Sequence, residues 1–228
     1  MFLSVLDGVC SVAGETIEQE LWGLDVVLTG TQKAIGVPPG LALLVVSKKA
    51  LNTWGNRNSP VQSYYSDWKN WLPIMEAYQQ NKASYFGTPA VNLIRALEVS
   101  LKSIYSEGFD ERINKHKKYA HAFRKAIASI GLKVIPVSEG NCSSTLSAVY
   151  YPENVDGNLF RKHVSDYGVI IAGGLLNDIK GDYFRVGHMG PVTKTDLVAV
   201  LSAIEYSLSK TTYEFPPGKS IAVFHEFV

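Results

Sequence analysis

The chain has 228 residues, of which 46% are hydrophobic, and this length and composition suffice for a sizeable folded core. Its 22 basic and 21 acidic residues leave a net charge of +1 without a basic stripe, which disfavours nucleic acid and favours a small-molecule partner. The longest apolar runs are strand-sized, far below the roughly 20 residues that cross a bilayer, so no membrane segment is predicted.

The first part of the chain predicts an α/β architecture, because short apolar runs bounded by turn residues alternate with longer segments of helical period. Met1 leads directly into the first run without the features of a signal peptide, so either a strand opens the protein or the chain is cut. Glycines and paired prolines in residues 30–40 predict a rigid, non-helical loop around Lys33. The strands predicted around this loop cover residues 2–6, 25–28 and 41–46.

Two long helices follow, and we expect them to join two domains. The first begins after Pro89 and ends at Gly108, with one apolar face formed by Ile94, Leu97, Leu101 and Ile104. The second covers residues 110–130 before Gly131, with a buried face marked by Tyr119, Phe123, Ala126 and Ile130.

The remainder of the chain predicts an α+β unit of its own. Thr193 and Asp196 have the spacing of a capping box at the start of its last helix. From Thr211 onward, the composition predicts an irregular tail. The predicted strands cover residues 133–137, 145–151, 169–172 and 183–187, and the helices cover 158–167 and 195–208.

Two polar residues of the first part are candidates for chemistry. Asp7 ends the first predicted strand, where ligands bind in open α/β sheets, although an Asp-Gly pair alone more often marks a turn. Lys33 lies in the constrained loop, which suits imine formation, although a lone loop lysine is usually solvated. Together they fit pyridoxal phosphate, which needs an amine for its aldehyde and a carboxylate that keeps its pyridine nitrogen protonated.

The surrounding residues occur in blocks whose order and spacing match one family. The blocks are Leu6-Asp7-Gly8-Val9-Cys10-Ser11-Val12, Trp22-Gly23-Leu24-Asp25-Val26-Val27, Thr29-Gly30-Thr31-Gln32-Lys33-Ala34 and Pro38-Pro39-Gly40. They resemble the class V pyridoxal-phosphate-dependent aminotransferases, most closely the alanine–glyoxylate and serine–pyruvate branch. The resemblance implies an α/β fold: the second half of the large domain of fold type I transferases, followed by an α+β C-terminal small domain.

The resemblance also implies roles for the matched residues around the lysine. Lys33 is expected to hold the cofactor as a Schiff base and to act as the general base and acid. Asp7 is expected to pair with the pyridine nitrogen. Thr31 keeps a hydroxyl where serine is commoner, and Gln32 is a candidate ligand of the cofactor phosphate, because its amide can donate hydrogen bonds.

Two later blocks complete the implied site. Ser84-Tyr85-Phe86-Gly87-Thr88-Pro89 resembles the segment whose tyrosine and threonine reach the phosphate of the neighbouring subunit, which implies a homodimer. Thr88 alternatively caps the helix after Pro89. Arg185 stands where the family binds the substrate carboxylate, for which a guanidinium is suited, although a structural ion pair is the commoner role of such an arginine. His188 is interpreted as structural, because Lys33 supplies the acid and base function.

The family match divides the chain into two expected domains. Residues 1–107 are a remnant of the cofactor-binding large domain with the Schiff-base lysine, and residues 108–228 are the small domain with the substrate-binding arginine. The upstream phosphate-binding loop, the stacking aromatic and the N-terminal arm of the family cannot be placed in the sequence. We therefore expect a truncated form, in which the first strand lies at an exposed edge.

Three hypotheses for function remain open. The first is transamination between a small amino acid and a 2-oxo acid, alanine with glyoxylate or serine with pyruvate, a reaction type that serves glycine biosynthesis. The second is an inactive fragment or relic that at most associates with a full-length subunit. The third is another fold type I enzyme such as a cysteine desulfurase, for which Cys142 in the Gly/Ser-rich segment 140–144 is the candidate nucleophile.

Cysteine usage and the chain ends bear on the compartment. Cys10 and Cys142 are too few for a disulfide framework and match no metal-ligand spacing, which favours a reducing, intracellular location without a metal site. The C-terminal Phe227-Val228 does not resemble a peroxisomal signal. Cytoplasm, mitochondrion and peroxisome remain open.

Overall fold

The computed structural model describes residues 2–228, in which six strands form two three-stranded sheets and seven α-helices pack around them. Within this range, no helix is long and apolar enough to span a membrane.

The first sheet has the order β1-β2-β3, with β1 at Val5–Asp7, β2 at Val26–Gly30 and β3 at Ala42–Val46. β1 pairs with β2 in parallel, whereas β3 pairs with β2 antiparallel. Asp7 lies beside Leu28 in this register, so β1 and β2 end at the same edge of the sheet. This edge carries Asp7 and the loop that follows Gly30.

The start of β1 differs from the predicted strand at residues 2–6. The strand begins at Val5, because the backbone N–H of Ser4 donates 2.9 Å to the Asp25 carboxylate instead of to a neighbouring strand. Lys49 donates to the same oxygen at 2.8 Å. The Asp25 side chain therefore holds the residue before β1 in place.

Three helices connect the first sheet to the rest of the chain: α1 at Lys48–Gly55, α2 at Trp68–Gln79 and α3 at Val91–Glu107. Of these three helices, sequence periodicity predicts only α3. The two that it does not predict, α1 and α2, begin at the side-chain caps Ser47 and Asp67. The alternative role of Thr88 as a helix cap is wrong, because α3 begins after Ala90 without a side-chain cap.

The second sheet belongs to the C-terminal part and is antiparallel, with the order β4-β6-β5. Its core is one continuous cluster around Phe123, Phe160 and Phe184, all fully buried. The predicted capping box of Thr193 and Asp196 is confirmed. The elements are α4 at Phe109–Ser129, β4 at Leu146–Tyr150, α5 at Gly157–Asp166, β5 at Ala172–Gly173, β6 at Tyr183–Gly187, α6 at Lys194–Leu208 and α7 at Lys219–Glu226.

Two predicted strands of this part are corrected by the structure. Residues 133–137 make only one bridge, Val134 to Val149, because Pro136 has no N–H with which to continue the pairing. The strand predicted at 169–172 shortens to β5, Ala172–Gly173.

The prediction of an irregular tail is wrong as well. The Glu205 carboxylate on α6 accepts hydrogen bonds from the backbone N–H groups of Gly218 and Ser220, at 2.6 and 3.0 Å, and so caps α7 from a distance. Phe224 of α7 is fully buried in the core. This remote cap explains why no local signal indicates the helix.

Candidate active site

Asp7 presents its carboxylate at the common edge of β1 and β2. The side chain is exposed, and its Oδ1 accepts a hydrogen bond of 3.0 Å from the backbone N–H of Val9. Its Oδ2 has no hydrogen-bond partner within residues 2–228. One carboxylate oxygen thus orients the side chain, while the other remains available to a donor such as a protonated pyridine nitrogen.

The loop after β2 has a fixed backbone and two accessible polar side chains. Thr31 is fully buried, and its hydroxyl donates 3.3 Å to the Pro38 carbonyl, which closes the loop. The Gly36 N–H donates 2.9 Å to the Lys33 carbonyl. Lys33 is half-buried and Gln32 is exposed, and no salt bridge holds the Lys33 ammonium within the described part of the chain.

The segment that follows β6 packs directly against this loop. Gly190 has φ +82°, and a Cβ added there would lie 3.3 Å from the Lys33 carbonyl oxygen. A Cβ added at Gly36 would lie 2.8 Å from Cδ of Pro191. Glycine is therefore needed at both positions of this close approach. The contact joins the lysine loop to the strand that carries Arg185.

Two buried residues of α4, which sequence reasoning misses, hold the same loop from behind. Arg112 donates from Nη2 to the Ala34 carbonyl at 2.5 Å and from Nε to the Ala13 carbonyl at 2.9 Å. His116 accepts from the Gly190 N–H at Nε2, 2.9 Å away, and its Nδ1 lies 2.7 Å from the Arg112 carbonyl. Because a carbonyl only accepts, Nδ1 carries the proton of a neutral ring. Burial lowers the pKa of His116, which favours that state.

The sequence does contain a signal for these two residues. Arg112 and His116 extend the buried face of α4, marked by Tyr119 and Phe123, toward its N-terminus at the same helical spacing. A charged or titratable residue in a buried stripe requires a partner inside the protein. That partner is the loop backbone, which only the folded structure identifies.

Tyr85 and Thr88 lie together on the surface before α3. The Tyr85 hydroxyl is 3.0 Å from Oγ1 of Thr88, and both residues are exposed. Within residues 2–228, no hydrogen bond connects either residue to the lysine loop. The role of this pair across a subunit interface stays a prediction.

Arg185 occupies the centre of the second sheet, opposite Ala148 on β4 and Ala172 on β5. Its Nε donates 2.7 Å to the carbonyl of Gly173. The structural ion pair considered for this arginine is not formed with any acidic residue of the described chain. The two terminal nitrogens of the guanidinium are therefore available for a carboxylate.

The surroundings of His188 and of Cys142 do not favour a catalytic role for either residue. Nε2 of His188 accepts from the Ser147 hydroxyl at 2.9 Å, and Nδ1 donates to the Ser144 carbonyl at 3.1 Å. Burial, with the nearby charge of Arg124, lowers the pKa of His188 to about 4, so the ring is neutral. Burial raises the pKa of the Cys142 thiol, which opposes formation of the thiolate nucleophile that a desulfurase needs.

Comparison with known sequences gives matches over most of the chain. The sequence model of the aminotransferase class V family matches residues 2–176. Alanine–glyoxylate aminotransferase 1 of Saccharomyces cerevisiae is 41% identical over 193 residues, which are 82% of this chain and 49% of the yeast protein. Serine–glyoxylate aminotransferase of Arabidopsis thaliana is 32% identical and aligns with 96% of this chain and 53% of the plant protein.

Comparison with solved structures also gives aminotransferases as matches. Pyridoxamine–pyruvate aminotransferase from Mesorhizobium loti superposes with a TM-score of 0.88 at 28% identity, over 99% of this chain and 57% of that structure. Alanine–glyoxylate aminotransferase from Nostoc sp. superposes with a TM-score of 0.83 at 28% identity, over 90% and 54%. The chain spans about half the length of the relatives that it matches.

Proposed function

The chain belongs to the class V aminotransferases, and we propose that it supplies the lysine-bearing half of an enzyme that transfers an amino group between a small amino acid and a 2-oxo acid. The family depends on pyridoxal phosphate, and the fold type I architecture that the sequence predicts is confirmed. The substrates, the subunit arrangement and the role of each residue are parts of the proposal.

The observation that carries the proposal is the clamped loop at the edge of the first sheet. The buried Thr31 and the contact with Gly190 hold its backbone, yet the amine of Lys33 and the amide of Gln32 remain accessible. The available carboxylate oxygen of Asp7 lies at the same sheet edge. This donor and acceptor set fits the aldehyde, the phosphate and the pyridine nitrogen of pyridoxal phosphate.

When bound, pyridoxal phosphate supplies an electron-accepting ring that stabilises negative charge at the substrate α-carbon. In our proposal Asp7 keeps the pyridine nitrogen protonated, because an anionic carboxylate beside it favours the charged form. Lys33 would anchor the cofactor through its amine, and the freed amine would act as the general base that takes the proton from the substrate α-carbon and as the general acid that then gives this proton up. Gln32 contacts the phosphate, and Thr31 supports this contact by closing the loop.

Arg185 is the proposed clamp for the substrate carboxylate. Its Nε is fixed by Gly173, while the outer edge of the guanidinium can make two parallel hydrogen bonds to one carboxylate. Tyr85 and Thr88 offer two exposed hydroxyls, which suits contact with a phosphate on a neighbouring subunit of a homodimer. The proposed domains are residues 1–107 for the cofactor and residues 108–228 for the substrate carboxylate.

Alanine with glyoxylate is the first substrate pair to test, and serine is the alternative donor. Glyoxylate stands in the names of the yeast and the plant relative, which differ in alanine and serine as donors. A chain that has no activity alone and at most associates with a full-length subunit stays the second candidate.

The test is the absorption spectrum of the purified chain with pyridoxal phosphate, before and after borohydride reduction, with Lys33→Ala as control. We expect a visible band that the variant lacks, and cofactor mass on the peptide that contains Lys33. Amino donors are then screened against glyoxylate and pyruvate. A wild-type chain that retains no cofactor, alone or mixed with a full-length relative, would falsify the proposed function.

A further inference from the structure

Arg112 lies at the N-terminal end of α4, is 4% exposed, and donates hydrogen bonds in three directions. Nε reaches the carbonyl of Ala13 at 2.9 Å, and Nη2 reaches the carbonyl of Ala34 at 2.5 Å. Nη1 donates 2.7 Å to the carboxylate of Glu107 at the end of α3. One planar guanidinium thus connects two loops and one helix end.

The two loops that Arg112 connects are the turn after Asp7 and the lysine loop. Ala13 lies in the turn after Asp7 and has the unusual φ of +67°, whereas Ala34 directly follows Lys33. The loops also touch each other, because a Cβ added at Gly14 would lie 3.2 Å from Cβ of Ala34. The parallel pairing of β1 and β2 aligns only the strands, so the positions of the loops beyond them depend on these contacts.

We infer that Arg112 is a positioning residue, which fixes the Lys33 loop relative to the Asp7 turn and so sets the separation of the amine and the carboxylate. The inference rests on the proposed function. Arg112 touches neither the cofactor nor the substrate, and it acts through the carbonyls of Ala13 and Ala34.

The surroundings of Arg112 match this role. Burial opposes ionisation of Glu107, yet hydrogen bonds from Lys115 and Arg112 outweigh it, and the pKa of Glu107 lies below its ordinary value. The buried guanidinium therefore has an anionic partner, as a buried charge requires. A lysine at this position would keep the charge, but its single nitrogen cannot reach three acceptors in the planar arrangement of a guanidinium.

Arg124 provides a matched control on the same helix. It pairs with Glu139 at 2.5 Å and donates 3.0 Å to the carbonyl of Ser143, and its side chain is only 10% exposed. The hydrogen bonds of Arg124 go to Glu139 and Ser143 and not to Ala13 or Ala34. Replacement of either arginine by lysine removes hydrogen bonds to a carboxylate and a carbonyl, but only Arg112→Lys loosens the two loops.

The first experiment compares Arg112→Lys with Arg124→Lys in three measurements: the thermal midpoint, the dissociation constant for pyridoxal phosphate, and the pH midpoint of the cofactor absorption band. We expect both variants to lose a similar amount of thermal stability. Only Arg112→Lys should weaken cofactor binding, by about tenfold, and shift the pH midpoint, because displacement of a reactive group by a fraction of an ångström changes its chemistry. Equal effects of both variants on cofactor binding would overturn the inference.

A second measurement does not depend on cofactor binding. Hydrogen exchange of the Gly36 amide, which donates to the Lys33 carbonyl, reports the order of the loop in the cofactor-free protein. We expect faster exchange in Arg112→Lys and unchanged exchange in Arg124→Lys. Unchanged exchange in both variants would refute the positioning role, whereas a wild-type chain that binds no cofactor would refute only the proposed function. If Arg112→Lys does not fold, Glu107→Gln, which removes the charged anchor of Arg112, takes its place in the same comparison.

Discussion

The two parts of the molecule differ in how they bury apolar residues. Within residues 2–228, the part from α4 onward shares one cluster of 17 buried hydrophobic residues, whereas the buried members of the cluster around the first sheet are only Ile35, Val37 and Ile104. Val5 and Val45 on the first sheet are each 61% exposed, and Leu101 on the predicted buried face of α3 is 47% exposed. The part that carries Asp7 and Lys33 therefore has little core of its own.

This difference shows which part of the molecule holds the lysine loop in place. Arg112 and His116 of α4, together with Gly190 after β6, all belong to the well-packed part and all contact the loop or its immediate neighbours. In the proposed function, the first part supplies Asp7 and Lys33, and the second part supplies Arg185 and holds the lysine loop in place.

Lys33→Ala should have the largest effect on activity and should leave the packing of the protein unchanged. The side chain is half-buried and forms no salt bridge with any other residue of the described range 2–228, so we expect an unchanged thermal midpoint. Transamination should fall by about a thousandfold or more, because the variant lacks both the anchor and the proton-transfer group. Activity assays and thermal unfolding on the same preparation check the two expectations. A large loss of stability would show that Lys33 contributes to packing as well.

Phe184→Ala and Val45→Ala compare the two parts directly. Phe184 is fully buried in the cluster of the second part, so its truncation should lower the free energy of unfolding by about 3–5 kcal/mol. Val45 is 61% exposed on the first sheet, and its truncation should change the free energy by less than about 0.5 kcal/mol. Urea unfolding of both variants gives the values, and similar losses would show that the sheet around Lys33 is as well packed as the C-terminal core.

His188 should make the stability of the second part depend on pH. Its pKa is about 4 in the folded protein and 6.5 for a free histidine, so the unfolded state takes up the proton first. The contribution of the neutral His188 ring to the free energy of unfolding is fully present above pH 6.5. It falls by about 3 kcal/mol between pH 6.5 and 4. The pKa of the neighbouring His116 is lowered as well, which adds a loss of the same sign.

Unfolding in urea at several pH values between 7.5 and 4 tests this expectation. His188→Gln should be less stable at neutral pH, and its stability should fall less steeply with acid than that of the wild type. His116→Gln isolates the second contribution. An unchanged slope in His188→Gln would mean that other groups cause the acid sensitivity.

Gly190→Ala should have the smallest effect of the variants around the lysine loop and tests the contact between the two parts. A side chain at φ +82° costs about 1 kcal/mol, and its Cβ would press on the Lys33 carbonyl. Gly23→Ala is the matched control, because Gly23 has φ +65° and no neighbouring atom within 4 Å of an added Cβ. Both variants should lose similar stability, and only Gly190→Ala should also weaken cofactor binding.

Local patterns predicted much of the fold. The strand at Tyr183–Gly187 has the predicted bounds, and α4 and α6 begin and end within one residue of the predicted positions, because helical period and caps are local signals. The helix α7 was missed because its cap is Glu205, a residue of another helix. The strand predicted at 133–137 is reduced to one bridge because Pro136 has no N–H with which to continue the pairing.

By itself, the sequence determined the family, the cofactor and the candidate residues Asp7, Lys33 and Arg185, because the motifs that contain them are short and contiguous. Only the tertiary structure decided what holds the lysine loop in place. The two carbonyls that Arg112 binds lie 78 and 99 residues away along the chain. No local pattern encodes such a contact, because a backbone carbonyl is the same at every residue and only folding brings the right ones to the guanidinium.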